Sequence, residues 1–148
     1  MTSYAERLFV PWHWWLRGLV VVATFGWVAR VATNIELTII VSAITAIFVV
    51  GGLLAYGRIS VKVSPDWLQA GNAKIETKHL GRIDALTEDE FRDWMGPRAD
   101  YRAFLCTRPY IPAGVKVEIT DPSDPTPYWL ISSRNPEKFA HILEARNG

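Results

Sequence analysis

Two long apolar segments, separated by only a few residues, dominate the first third of this chain. Residues 12–32 and 37–56 consist mainly of Val, Ile, Leu, Ala, Phe and Trp, and the charged or histidine side chains between positions 12 and 56 are His13, Arg17, Arg30 and Glu36. A helix rising ~1.5 Å per residue needs about 20 residues to cross ~30 Å of hydrocarbon, and each segment meets that length. A soluble reading fails on area. Helices apolar on every face must be wrapped completely, and the roughly 90 residues that follow are too few to wrap two of them. A cleaved signal sequence fits no better, because the first run continues past Gly26 to Val28 and Val31 and a second follows at once. The expectation is therefore a membrane hairpin of two antiparallel transmembrane helices joined through Thr33, Asn34 and Glu36.

Pro11 suits the start of the first span, where a missing N–H costs no hydrogen bond. Arg17 and Arg30, near opposite ends of that span, can reach the headgroups while their stems stay in apolar surroundings. Tyr4, Phe9, Trp12, Trp14 and Trp15, together with Arg17, form a set of membrane-interface anchors, since indole and phenol rings combine an apolar body with a polar edge. In the second span, Ser42 with Ala46 and Gly51 with Ala55 place small residues four apart, offering a face for close helix approach and a homo-oligomer. Arg7, Arg17, Arg58 and Lys62 flank the two termini of the hairpin, whereas the loop side carries Arg30 offset by Glu36. The positive-inside rule then puts both termini in the cytoplasm of a multi-pass protein of the inner (plasma) membrane. The lone Cys106 fits a reducing compartment for the C-terminal part.

The chain thus divides into residues 1–57, an interfacial segment with two spans, and residues 58–148, a cytoplasmic domain. Setting Arg7, Arg17 and Arg30 aside from the 16 Lys and Arg, and Glu6 and Glu36 from the 15 Asp and Glu, leaves 13 of each sign in that domain. A zero balance gives no basic footprint for nucleic acid. Alternation over Arg58-Ile59-Ser60-Val61-Lys62-Val63 predicts a strand, Ser64-Pro65-Asp66 and Gly71-Asn72 predict turns, and further short strands fall at 67–70, 73–76 and 81–86. Thr87-Glu88-Asp89-Glu90 is a capping box opening a short helix with Phe91 and Trp94 on its apolar side, ended by Gly96-Pro97. Strands follow at 103–107, 115–120 and 127–132. Asn135-Pro136 then opens a terminal helix whose Phe139, Ala140, Ile142 and Leu143 share one face. The pattern is a small α+β domain of roughly seven strands, an antiparallel sheet folding on itself into a partly open barrel with a C-terminal helix. In element order it is similar to pleckstrin-homology-like (PH-like) domains, an analogy of fold alone.

Several runs are more specific than this pattern. They are Tyr4, Glu6, Arg7, Leu8, Pro11, Trp12, Trp14 and Trp15 at the start, Arg108-Pro109 in the middle, and Asp121-Pro122, Asp124-Pro125, Pro127-Tyr128-Trp129 and Ser132-Ser133-Arg134 with Pro136 towards the end. In these the chain resembles, across nearly its whole length, the actinobacterial membrane proteins grouped as domain of unknown function 3093. His13 departs from the pattern, standing where members often carry another aromatic. The resemblance implies two spans and a soluble C-terminal domain, and it lends no catalytic residue.

Chemistry is sparsely signalled. His13, His79 and His141 have no paired spacing and Cys106 has no second cysteine, so no metal and no cofactor is expected. Cys106, between Leu105 and Thr107 in a predicted strand, reads as a buried inert thiol. Asp121 and Asp124 read as turn formers, because Asp before Pro fixes bends with its own side chain. Of Tyr128 and Trp129, one ring on each face of a strand, at least one belongs to the core. Ser132, Ser133 and Arg134 can cap the terminal helix or hold an anion at its start, and with Arg108 and Tyr110 they make the candidate binding set. No acid and base are grouped for catalysis. The function expected is a membrane-anchored interaction or regulatory module that docks a protein partner in or at the lipid bilayer. The alternatives are an enzyme acting on lipid or an envelope precursor, and a lipid headgroup-binding module.

Overall fold

A computed structural model describes residues 4–147. In chain order the elements are β1 (Tyr4–Arg7), α1 (Trp12–Ala32), α2 (Ile35–Tyr56), β2 (Ser60–Val63), β3 (Trp67–Ala70), β4 (Ala73–Glu76), a 3₁₀ turn (Thr77–His79), β5 (Leu80–Leu86), α3 (Glu88–Met95), β6 (Phe104–Cys106), β7 (Gly114–Ile119), β8 (Tyr128–Ser132) and α4 (Pro136–Asn147). They form two compact units, the hairpin Phe9–Ile59 and a sheet domain made of residues 4–8 with 60–147.

The hairpin is built as its sequence demands. Pro11 sits at the N-cap of α1, and Trp14 N–H donates to its carbonyl at 3.0 Å. The Asn34 side chain accepts the Leu37 N–H at 3.0 Å, which starts α2 at Ile35, two residues ahead of the expected span. The helices approach through small residues of α1. A Cβ on Gly18 would lie 2.7 Å from Val49 Cγ1, and one on Gly26 would lie 2.8 Å from Ser42 Oγ. Gly51 and Gly52, by contrast, meet nothing within 4 Å. No residue of α2 is buried, and Phe48 (77% exposed), Val31 (75%) and Trp27 (72%) present bare apolar surface. Two helices of this length and composition, apolar all round, are membrane spans, and the chain is a membrane-embedded, multi-pass protein.

The sheet domain holds two four-stranded sheets that do not close into a barrel, ordered β1-β2-β3-β4 and β5-β7-β8-β6. This refines the single sheet of seven strands in three ways. The first four-stranded sheet gains β1 from the segment ahead of the spans, which pairs antiparallel with β2 in the register Tyr4↔Val63 to Arg7↔Ser60. The barrel outline is replaced by two sheets with separate strand orders. Finally, β6 runs parallel to β8, because the 107–113 segment and β7 intervene before the chain returns. Among the described residues Gly71 alone adopts a left-handed conformation (φ 60°), letting β3 turn directly into β4. Gly114 has another purpose: a Cβ there would stand 2.1 Å from the Ile131 carbonyl oxygen and 2.4 Å from the Phe91 ring.

Helix α3 starts with the expected capping box, the Thr87 N–H donating to Glu90 Oε2 at 2.9 Å. Its Phe91 enters a cluster with Leu86, Tyr128 and Leu130, against which Trp94 and Ala103 pack. Alternation along β8 sends Trp129 and Ile131 to the opposite face, so both rings of the Tyr128-Trp129 pair are buried, Trp129 against Phe104 with centroids 4.8 Å apart. Helix α4 packs along β5 and β7 with Phe139 and Leu143 fully buried.

Candidate functional site

Strand β1 organises a connected polar site of the sheet domain. Because Tyr4 and Glu6 lie opposite Val63 and Val61, they share the face on which those valines are buried. The Tyr4 ring stacks on Phe139 at 5.3 Å between centroids. Glu6 Oε2 accepts the Tyr4 hydroxyl at 2.9 Å and the Ser133 hydroxyl at 2.7 Å, while Oε1 accepts the Arg134 N–H at 2.9 Å. Ser133 Oγ in turn accepts the Asn135 N–H at 3.1 Å. The Arg134 guanidinium donates to the Arg7 carbonyl at 3.1 Å, and the Tyr110 hydroxyl to the Leu8 carbonyl at 2.7 Å. The carboxylate thus meets the Ser133 hydroxyl and the Arg134 N–H just ahead of α4, near the positive end of the helix dipole. Burial, then the hydrogen bond to Glu6, push the Tyr4 phenol up to about 12.

The candidate binding set is therefore divided. Ser133, Arg134 and Tyr110 converge on β1, and their polar groups are engaged in clasping it. Ser132 is fully buried: its hydroxyl accepts the Arg108 N–H at 2.9 Å and donates to the Ile111 carbonyl at 3.2 Å. The Arg108 side chain donates to the Thr107 carbonyl at 2.8 Å and lines a groove of about 270 Å³ with Pro109, Ile111, Pro112, Phe91, Met95, Glu88 and Arg92. Arg92 is paired along its own helix with Glu88 and Asp89.

The anchor set is divided as well. Tyr4 belongs to the sheet domain, held by Phe139 and Glu6. In the hairpin, Phe9 and Trp12 are exposed at 58% and 75%, and Trp15 is 38% exposed. Trp14 stacks on Tyr56 with centroids 6.5 Å apart, and the Arg17 guanidinium lies 5.6 Å from the Trp14 ring centre.

Three further groups settle their own chemistry. Cys106 is buried, and burial pushes its thiol pKa up despite the nearby Arg108 charge, which keeps it in the unreactive protonated form. Asp121 accepts the Ser123 N–H and hydroxyl at 2.8 and 2.6 Å, and Asp124 accepts the Thr126 N–H at 2.8 Å, so both carboxylates brace their turn. Among the described residues no three His, Cys, Asp or Glu side chains group as metal ligands.

Two features escaped the sequence reading. One is Glu6, which the family-like run contained but which was given no role. Its signal was the alternation of Tyr4, Glu6 and Leu8 ahead of Pro11. The other is Lys116, buried among Glu118 (3.2 Å), Asp84 (3.8 Å) and the rings of Trp94 (4.3 Å) and Tyr128 (5.6 Å). Carboxylates and aromatic faces together compensate the buried ammonium.

Fold and site together define a two-span membrane protein with a small α+β domain whose first strand precedes the spans. The chain matches the family described as "Protein of unknown function (DUF3093)" over residues 3–143, and it belongs to that family. No curated protein and no solved structure matches it.

Proposed function

We propose that the chain is a plasma-membrane accessory protein with both termini cytoplasmic, whose sheet domain docks a protein partner at the groove beside Arg108. The observation supporting this reading is the make-up of that groove. Phe91, Met95, Pro109, Ile111 and Pro112 offer an apolar floor, with Met95 44% exposed, and the side chains of Arg108 and Arg92 add positive charge to the lining. Methionine and arginine beside rigid prolines suit a segment that inserts an apolar side chain and carries a carboxylate next to it. Such a contact places the Arg108 charge against the partner, while the Arg108 N–H stays bound to Ser132 whatever side chain the position carries. Orientation rests on Arg7, Arg17, Arg58 and Lys62 outnumbering Arg30, which Glu36 offsets.

The experiment is co-purification of the full chain from membranes in mild detergent, wild type against Arg108→Glu and Met95→Asp. Both variants are expected to lose the partner while domain melting and membrane insertion are retained. Recovery of every partner at wild-type yield by both variants, or turnover of a lipid substrate by the purified wild-type protein, would overturn the docking reading.

A further inference from the structure

At the end of the hairpin where α1 begins and α2 ends, the two helices border a groove of about 420 Å³ whose lining includes Trp14, Arg17, Gly18, Phe48, Gly52 and Tyr56. Its shape follows from the glycines. Gly18 lets Val49 and Leu53 approach α1, while the empty space over Gly52 leaves a notch beside the projecting Phe48 ring. The lining is graded in polarity. Trp14 and Tyr56, stacked on each other, and Arg17, over the Trp14 ring, occupy the terminal end, and only apolar side chains follow inward.

Charge selects the occupant. Among the described residues Arg17 has no carboxylate within ion-pair distance, and Glu36, the one carboxylate in residues 9–59, stands in the first turn of α2 at the other end of the hairpin. A second copy of the hairpin related by a two-fold axis along the membrane normal would bring Arg17 to face Arg17 at this depth, with no acid to separate them. In apolar surroundings an uncompensated guanidinium is costly, so the group seated here has to supply its own anion above an apolar body. We infer that this groove holds an anionic diacyl phospholipid, its phosphate on Arg17 and one acyl chain in the Gly52 notch. A volume within the range of small-ligand sites accommodates part of one chain and leaves the second in the bilayer. The aromatic pair lies at the glycerol level, where indole and phenol edges find polar partners.

The test is native mass spectrometry of the full chain in mild detergent, with phosphatidylglycerol and phosphatidylcholine of identical acyl chains offered together. Wild type is expected to retain phosphatidylglycerol about tenfold better, the scale of one charge-assisted hydrogen bond. Arg17→Gln should erase that preference, and Gly52→Leu, which fills the notch without touching the charge, should lessen retention of both lipids. The wild-type comparison of the two lipids decides the matter even if a variant fails to insert. Equal retention of both lipids by wild type overturns the inference. So does a protein dimer, free of lipid, that Gly52→Leu dissociates, since the second copy would then be the occupant.

Discussion

Replacing Glu6 by glutamine isolates the clasp that holds β1. The carboxylate accepts three hydrogen bonds, from the Tyr4 and Ser133 hydroxyls and the Arg134 amide, and a hydrogen bond to a charged group contributes about 1.5–3 kcal/mol where it is buried. Glu6 is only half-buried, and the amide keeps one acceptor oxygen while the two hydroxyls can turn to accept from its NH₂. The loss is thus smaller than three full bonds, at about 1–3 kcal/mol. For a domain of this size ~1 kcal/mol moves Tm by ~4–8 °C, so a fall of roughly 5–20 °C is expected. Tryptophan fluorescence of the full chain in detergent, read during heating, reports the melting of the domain through Trp67, Trp94 and Trp129, above the signal of the four tryptophans of the hairpin. Glu6→Asp retains the charge but shortens the reach, and it should lie between wild type and Glu6→Gln. A Glu6→Gln protein melting within about 2 °C of wild type would show that β1 is held by its ladder and the Tyr4–Phe139 stack alone.

Tyr4 gives the clasp a pH signature: with its folded pKa near 12 against the ordinary 10.0, the unfolded chain loses the proton first, so stability falls as pH rises through that window. Tyr4→Phe should flatten that part of the Tm–pH profile. Gly114→Ala should lower Tm sharply or prevent folding, because its methyl group collides with the β8 backbone and the Phe91 ring; the measurement is thermal melting beside Gly71→Ala, whose cost is confined to its left-handed turn. Leu143→Ala, emptying a fully buried position under α4, should cost about 2–5 kcal/mol by denaturant titration. Single cysteines in the 33–36 loop and at residue 148, in a Cys106→Ala background, should label from outside intact cells at the loop only; the opposite pattern refutes the orientation.

What the sequence revealed, and what it hid, follows from the range of the forces involved. The spans were legible because apolar length is a local property, and Pro11 and Asn34 mark their starts within two residues. The capping box at Thr87 and the Asn135-Pro136 start of α4 were legible for the same reason. Pairings were not. Whether Phe104–Cys106 joins Tyr128–Ser132 in parallel depends on a chain path some 20 residues long that leaves no periodic mark, and β1 is four residues on the far side of two membrane spans. The candidate site suffered likewise. Ser132-Ser133-Arg134 announced hydrogen-bonding capacity at a helix start, which is real, but the anion there is Glu6, supplied by the chain 127 residues earlier than Ser133.

That long-range pairing also bears on how the protein is assembled. Arg7 and Ser60 are cross-strand partners, so the chain must leave β1, complete its membrane passage and return to the same aqueous side before β2 can pair. An even number of spans is required, and the described residues hold two. Closing so long a loop from a flexible chain carries an entropy cost that grows with the logarithm of its length. The hairpin removes most of that cost in advance, because antiparallel packing of α1 on α2 returns the chain to its starting end, where Trp14 meets Tyr56. Insertion then becomes a precondition for completing the sheet. A chain whose second span fails to insert leaves β2 across the membrane from β1, Glu6 without Ser133, and the Arg134 N–H without its carboxylate.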